Sequence, residues 1–252
     1  MRRVFTLVLA LTPVLAPAAS FTLGATLRAG GFGDTELHLG STAATPAVTG
    51  DFFPFWVDGV DHAFQLSYTA STNTATLLAD WLGLFASSVS WNPAGGSPST
   101  APRIWTISPG GLSVTAENNP LINTSVRISN LQISGPGLGV IATPSLVASQ
   151  TGAGSSTASL SSAITFATPN GQGNWRLDGT IRFAGLAGLL TTGDQLRMAF
   201  NALAADVPEP ATMLIGALGF AALGVLHHFR MRRRRRAGIA AAAQSAKLNT
   251  SH

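Results

Sequence analysis

The chain has no cysteine among its 252 residues, a single tyrosine, and charge on only 10% of its positions. Without a thiol there is no disulfide framework, no thiolate nucleophile and no cysteine-ligated zinc. No Gly-x-Ser-x-Gly elbow occurs, and no signature links His38 or His62 to a nucleophile. Gly135-Pro136-Gly137-Leu138-Gly139 is Gly-rich but lacks the strand–turn–helix spacing of a phosphate cradle. Basic charge is scarce in the middle of the chain. Between Phe21 and Pro210, six arginines (Arg28, Arg103, Arg127, Arg176, Arg182, Arg197) stand against all eleven acidic residues, six minus eleven, a net charge of −5. The sequence pI of about 11.0 therefore belongs to the ends. The middle carries no basic footprint for nucleic acid.

Long apolar runs occur only near the two ends. Met1–Ser20 has Arg2-Arg3, an apolar run from Val4 to Leu15, and then Ala16-Pro17-Ala18 and Ala18-Ala19-Ser20. That order predicts a signal peptide with two candidate cleavage sites, its apolar run too short to span a bilayer. Near the other end, Ala211–Phe229 is 19 residues without Asp, Glu, Lys or Arg. As a helix it reaches roughly 28 Å, about one hydrocarbon thickness. Leu214, Ile215, Leu218, Phe220, Leu223, Val225, Leu226 and Phe229 supply roughly −2 to −5 kcal/mol toward insertion. Arg230, Arg232, Arg233, Arg234, Arg235 and Arg236 follow at once. By the positive-inside bias they hold that end in the cytoplasm. A buried core helix with a nucleic-acid-binding tail is the competing reading. A soluble helix of this length would carry a polar face, and this one has none.

Just before the apolar run stand Val207, Pro208, Glu209 and Pro210. Neither proline can donate a backbone hydrogen bond, and each biases its predecessor toward extended geometry. The segment is expected to be an extended, unpaired strip, the shape a processing enzyme needs; the plainer alternative is a stiff linker.

Val-Pro-Glu-Pro, an apolar helix and an arginine cluster, in that order over residues 207–236, resemble the PEP-CTERM protein-sorting signal of Gram-negative bacteria. The resemblance implies recognition of Pro208-Glu209-Pro210 by an exosortase, a membrane-embedded cysteine transpeptidase. It also implies a transient inner-membrane anchor, removal of the helix, and passage of the body to the cell surface or the extracellular space, with an exopolysaccharide as a further partner. Such signals usually stop soon after the arginines; here Ala237–His252 continues as a cytoplasmic tail. The expected organisation is a signal peptide over residues 1–20, an exported β-rich domain over 21–206, the sorting signal over 207–236 with its transmembrane helix at 211–229, and the tail over 237–252.

The body is rich in Thr, Ser, Gly, Ala and Val, with short alternating runs between turn-formers. Ala63–Thr69 alternates with period two, Ser71-Thr72-Asn73 turns the chain, and Thr74–Leu78 returns, which predicts a hairpin. Further strands are expected at Phe21–Arg28, Thr35–Leu39, Ile104–Ile107, Ser113–Ala116, Ser125–Ile133, Ala163–Ala167 and Trp175–Phe183. Asp80–Ser88 fits either a helical turn or a buried strand. Pro93–Pro102 and Ser149–Ser162 read as loops, the second long and mobile. Gln195–Ala205 reads as a lead into the proline element. Many short strands with Gly, Pro and Asn turns argue for a mainly β fold, a jelly-roll-like β-sandwich. The Phe64–Leu78 hairpin, Asn130–Gly135 and Trp175–Phe183 together resemble choice-of-anchor surface domains, bacterial ectodomains carried ahead of different anchoring tails.

Candidate chemistry is sparse. Asp51, Asp58, Asp61 and His62 cluster around Phe52-Phe53-Pro54-Phe55-Trp56, and carboxylates beside a loop would suit Ca²⁺, but the spacing fits no EF-hand. Phe52, Phe53, Phe55 and Trp56, with Trp81, Trp91, Trp105 and Trp175, would offer a sugar-stacking surface if exposed, or fill the core. Asp34 with Glu36, or Asp178 with Asp194, would serve a glycosidase only if held roughly 5–9 Å apart across a bond. The reading is an exported, non-enzymatic surface or matrix protein without cofactor, catalytic residue or metal ligand. A carbohydrate-binding surface module is the alternative, and a secreted glycan-active enzyme the third.

Overall fold

Among the described residues there are fifteen strands, many of them built on alternating inward apolar and outward polar residues. The structure, a computed structural model, describes residues 20–29, 36–51, 56–81, 83, 85–93, 98, 102–118, 123–168, 173–186 and 196–207. Among them there is no α-helix. The strands are β1 (Ser20–Ala29), β2 (Leu37–Thr42), β3 (Thr45–Gly50), β4 (Asp61–Thr69), β5 (Thr74–Trp81), β6 (Phe85–Trp91), β7 (Arg103–Ile107) and β8 (Leu112–Asn118). After them come β9 (Thr124–Gly135), β10 (Leu138–Ala142), β11 (Leu146–Gln150), β12 (Gly154–Ser159), β13 (Ile164–Thr168), β14 (Trp175–Ala184) and β15 (Leu196–Asp206).

They make two antiparallel sheets. The eight-stranded sheet runs β12-β8-β15-β1-β2-β3, with β7 also on β15 and β13 on β7. The seven-stranded sheet runs β10-β9-β14-β4-β5-β6, with β11 also on β9. Chain neighbours pair as hairpins in β1-β2-β3, β4-β5-β6 and β9-β10, and four of the remaining pairs are nested. The first strand pairs with the last (Ser20 opposite Ala205), β4 pairs with β14, β7 with β13 and β8 with β12. β9 lies inside this nest and pairs with β14, β10 and β11. The result is β-sandwich-like.

The core lies between the inner faces of the sheets. β15 shows the pattern clearly: Leu196, Met198, Phe200, Ala202 and Ala204 are buried, while Leu203 between them is exposed. An aromatic cluster joins the sheets, with Trp105 of β7 edge-on to Trp175 of β14 (centroids 4.9 Å) and to Tyr68 of β4 (4.9 Å). Phe21 and Phe166 complete it. Asn130, at φ 54°, is the extra residue of a β9 bulge opposite Gly179, and it lets Leu131 turn inward. A Cβ on Gly179 would stand 2.6 Å from Leu131 Cδ2, so only glycine leaves that space open.

Two expectations change, and one left open between a helical turn and a strand is resolved as strand. Ser149–Ser162, read as a mobile loop, contains β12, which pairs along its whole length with β8. Gln195–Ala205, read as a lead-in, is most of β15, held between β1 on one side and β8 and β7 on the other. Asp80–Ser88 is the end of β5, a turn and the start of β6, not a helical turn.

Candidate functional site

The site begins where both ends of the body leave the fold. β1 and β15 are antiparallel neighbours, so Ser20 and Asp206 emerge side by side at one pole. Val207, the last described residue, donates its backbone N–H to the Pro102 carbonyl at 2.9 Å. Of the predicted sorting residues only Val207 is described. Pro208, Glu209, Pro210, the span Ala211–Phe229 and the arginines Arg230 and Arg232–Arg236 lie outside the described residues, as does the predicted signal peptide up to Ala19. Among the described residues no helix is long and apolar enough to cross a membrane.

A polar chain is buried at this pole. Arg103 opens β7 with 1% of its side chain exposed, and its Nε donates to Asp206 Oδ1 at 2.6 Å. Its Nη1 donates to the Tyr68 hydroxyl, and its guanidinium lies against the Phe21 and Tyr68 rings, 5.3 and 5.7 Å from their centroids. The Tyr68 hydroxyl donates to Asn73 Oδ1 at 2.9 Å, and Asn73 Nδ2 donates to the Pro93 carbonyl at 3.1 Å. Asn73 takes φ 50° in the β4–β5 turn, which asparagine tolerates better than most residues. The chain therefore runs from the last strand of one sheet, through Arg103, to a turn of the other. Burial pushes the Tyr68 phenol above its usual value, against the opposing pull of Arg103.

The opposite pole carries the other ionic cluster. Asp61 on β4 accepts from Arg182 on β14 (2.8 Å) and Arg127 on β9 (2.9 Å), a row across three adjacent strands. Burial raises the Asp61 carboxyl, but the hydrogen bonds and charges of Arg182 and Arg127 outweigh it and hold the group below its usual value. Asp58 accepts the backbone N–H of Gly185 at 2.8 Å. His62 is buried with Trp56 edge-on to it, and its Nε2 accepts the Val57 N–H at 3.1 Å. Burial lowers its pKa.

These contacts account for those sequence candidates that lie among the described residues. Asp58 and Asp61 do not converge: one holds backbone, the other guanidinium groups. Among the described residues no three His, Asp or Glu side chains group closely enough to hold a metal ion. Trp56, Trp105 and Trp175 are buried, so their faces pack core rather than sugar. Trp91 is partly buried against that core, and Phe52, Phe53 and Phe55 lie outside the described residues. Asp178 is paired with Arg176 (2.8 Å) and accepts from Gln65 (2.7 Å); Asp34 and Asp194 lie outside the described residues. Sequence reasoning missed Arg103, Tyr68 and Asn73. The one available signal was an arginine set in an alternating run before Trp105, on the side that proves to face inward.

No protein-family model matches the chain, and no curated protein matches it.

Proposed function

We propose that the chain is an exported, non-enzymatic surface or matrix protein, delivered by Met1–Ser20 and sorted through Val207-Pro208-Glu209-Pro210, Ala211–Phe229 and the arginine cluster. In this reading an exosortase acts at Pro208-Glu209-Pro210 and the inner membrane is a transient anchor. The body is a jelly-roll-like sandwich, a reading supported by the nested pairing of β1 with β15, β4 with β14 and β7 with β13.

One observation carries the proposal: the described strands all lie between the two places where processing is expected. β1 opens at Ser20, the residue at which the leader ends, and β15 closes at Asp206, two residues before Pro208. Cutting at either place would leave every strand among the described residues in the body. A non-enzymatic role is supported by how the acids are used. Asp58, Asp61, Asp178 and Asp206 each hold a structural partner.

Replacing Pro208-Glu209-Pro210 by alanines is expected to leave an uncleaved, membrane-bound form in the native host, read by mass spectrometry of both chain ends. Normal maturation of that variant would refute a role for this element.

A further inference from the structure

We propose that Arg28 and Arg197 form a binding site for a single oxyanion group, a carboxylate, sulfate or phosphate, on the outer face of the eight-stranded sheet. The two arginines stand directly opposite each other across the β1–β15 pair. Residues so placed have their Cβ atoms roughly 4.5–5.5 Å apart on one face, and like charges there are destabilising. The face is the outer one, because Leu27, Leu196 and Met198 beside them are buried. Both arginines are half-buried, so salt screens their repulsion less than at an open surface.

No shortage of acids forces this arrangement, since the segment from Phe21 to Pro210 has eleven acids for six arginines. Four of the six, Arg103, Arg127, Arg176 and Arg182, each pair with an aspartate. Arg28 has Glu36 beside it on β2, whose backbone carbonyl accepts the Arg28 N–H at 3.0 Å. Arg197 differs. Among the described residues no carboxylate pairs with it, although Glu117 lies two positions along β8 from its register partner Thr115. Departures from local pairing rules concentrate at functional sites, where a ligand supplies what the chain withholds.

The chemistry of the ligand follows from the row in which the pair sits. From β1 to β12 it reads Arg28, Arg197, Thr115, Thr157. Two guanidinium groups offer planar forks of N–H donors that match the oxygens of an oxyanion. Thr115 and Thr157 share one hydrogen bond at 3.1 Å, which uses one of their two hydroxyl hydrogens and leaves the other to donate. An anion entering the row cancels the repulsion it meets. The site suits one group rather than a long polyanion, because the segment around it carries a net charge of −5. The proposal does not depend on the sorting signal.

Thermal midpoints of the full-length chain in non-ionic detergent test this, with sodium glucuronate or sodium sulfate replacing chloride at constant ionic strength. An anion that binds only the folded chain raises the midpoint with concentration. The wild type should show that rise with at least one of the two, and the more effective one separates a uronate carboxylate from a sulfate or phosphate ester as the source. Arg197→Gln should need about ten times more anion for the same rise. Arg176→Gln removes an arginine already paired with Asp178. It should behave as wild type, which sets the baseline for the general salting effect of sulfate. In chloride alone Arg197→Gln should be at least as stable as wild type, because it ends the repulsion. Three results would each overturn the proposal: no rise above that baseline with either anion, the same rise in Arg197→Gln, or a loss of stability of Arg197→Gln in chloride.

Discussion

Arg103 is the residue on which the exit pole turns. A guanidinium 1% exposed is tolerated because Asp206 supplies the countercharge, Tyr68 an acceptor, and Phe21 and Tyr68 their ring faces. Removing one partner of a buried pair costs about 3–5 kcal/mol. Asp206 keeps a quarter of its side chain in water, which reduces the expected loss for Asp206→Ala to about 2–3 kcal/mol. Arg103→Met in the same chain should recover most of it, because no uncompensated charge remains. Urea unfolding of the single and double variants checks this. If the double variant is as unstable as Asp206→Ala, the pair is not what holds the end of β15. The sequence did not disclose this role. Charge ordinarily marks an outward position, and the countercharge lies 103 positions away.

At the level of the element, backbone pairing overrides composition. β12, Gly-Ser-Ser-Thr-Ala-Ser, has no apolar stripe to announce it. It is a strand because β8 offers it a full register and because Thr157 and Thr115 share a hydroxyl hydrogen bond at 3.1 Å. The hairpin Ala63–Leu78 was legible, since strict alternation and a Ser-Thr-Asn turn are local signals. The β2–β3 turn shows the opposite case. Its tip lies over β1, where Thr26 Oγ1 donates to the Ala43 carbonyl (2.8 Å) and the Ala43 N–H donates to Asn201 Oδ1 (2.7 Å). This fold-back needs Gly24, because a Cβ there would run into the backbone of Thr42 and Ala43. Gly24→Val, which strand propensity alone would call stabilising, should instead cost about 1–3 kcal/mol. It should also speed hydrogen exchange at the Ala43 amide. Unchanged exchange at Ala43 would refute the fold-back as the reason for glycine.

For the whole molecule, two titrating groups set the direction of pH dependence. His62 is buried and its folded pKa lies below the usual 6.5, so the unfolded chain binds the proton first. Stability is complete above 6.5 and falls as pH drops below that value toward the folded pKa. Asp61, held below 3.8 by Arg182 and Arg127 against its own burial, adds a second loss of the same sign as pH falls below 3.8. Both losses have the same sign, one below each group's usual value. Thermal midpoints at pH 7.5, 5.5 and 3 should fall in that order, and His62→Gln should flatten the first interval. A midpoint that rises on acidification would invert the assignment.

The sequence alone determined that the body is mainly β and thiol-free, and that the net acidity of the middle is masked by basic ends. These follow from composition and from a period of two, both local quantities. Tertiary structure decided which strands are neighbours, that the last strand sits in the middle of its sheet beside the first, and that Trp56, Trp105 and Trp175 fill core instead of facing solvent. It also decided that an arginine belongs inside. Each of these rests on partners far apart in the chain. Local alternation says that a residue faces one side of a strand; only the packing of two sheets says which side is the interior.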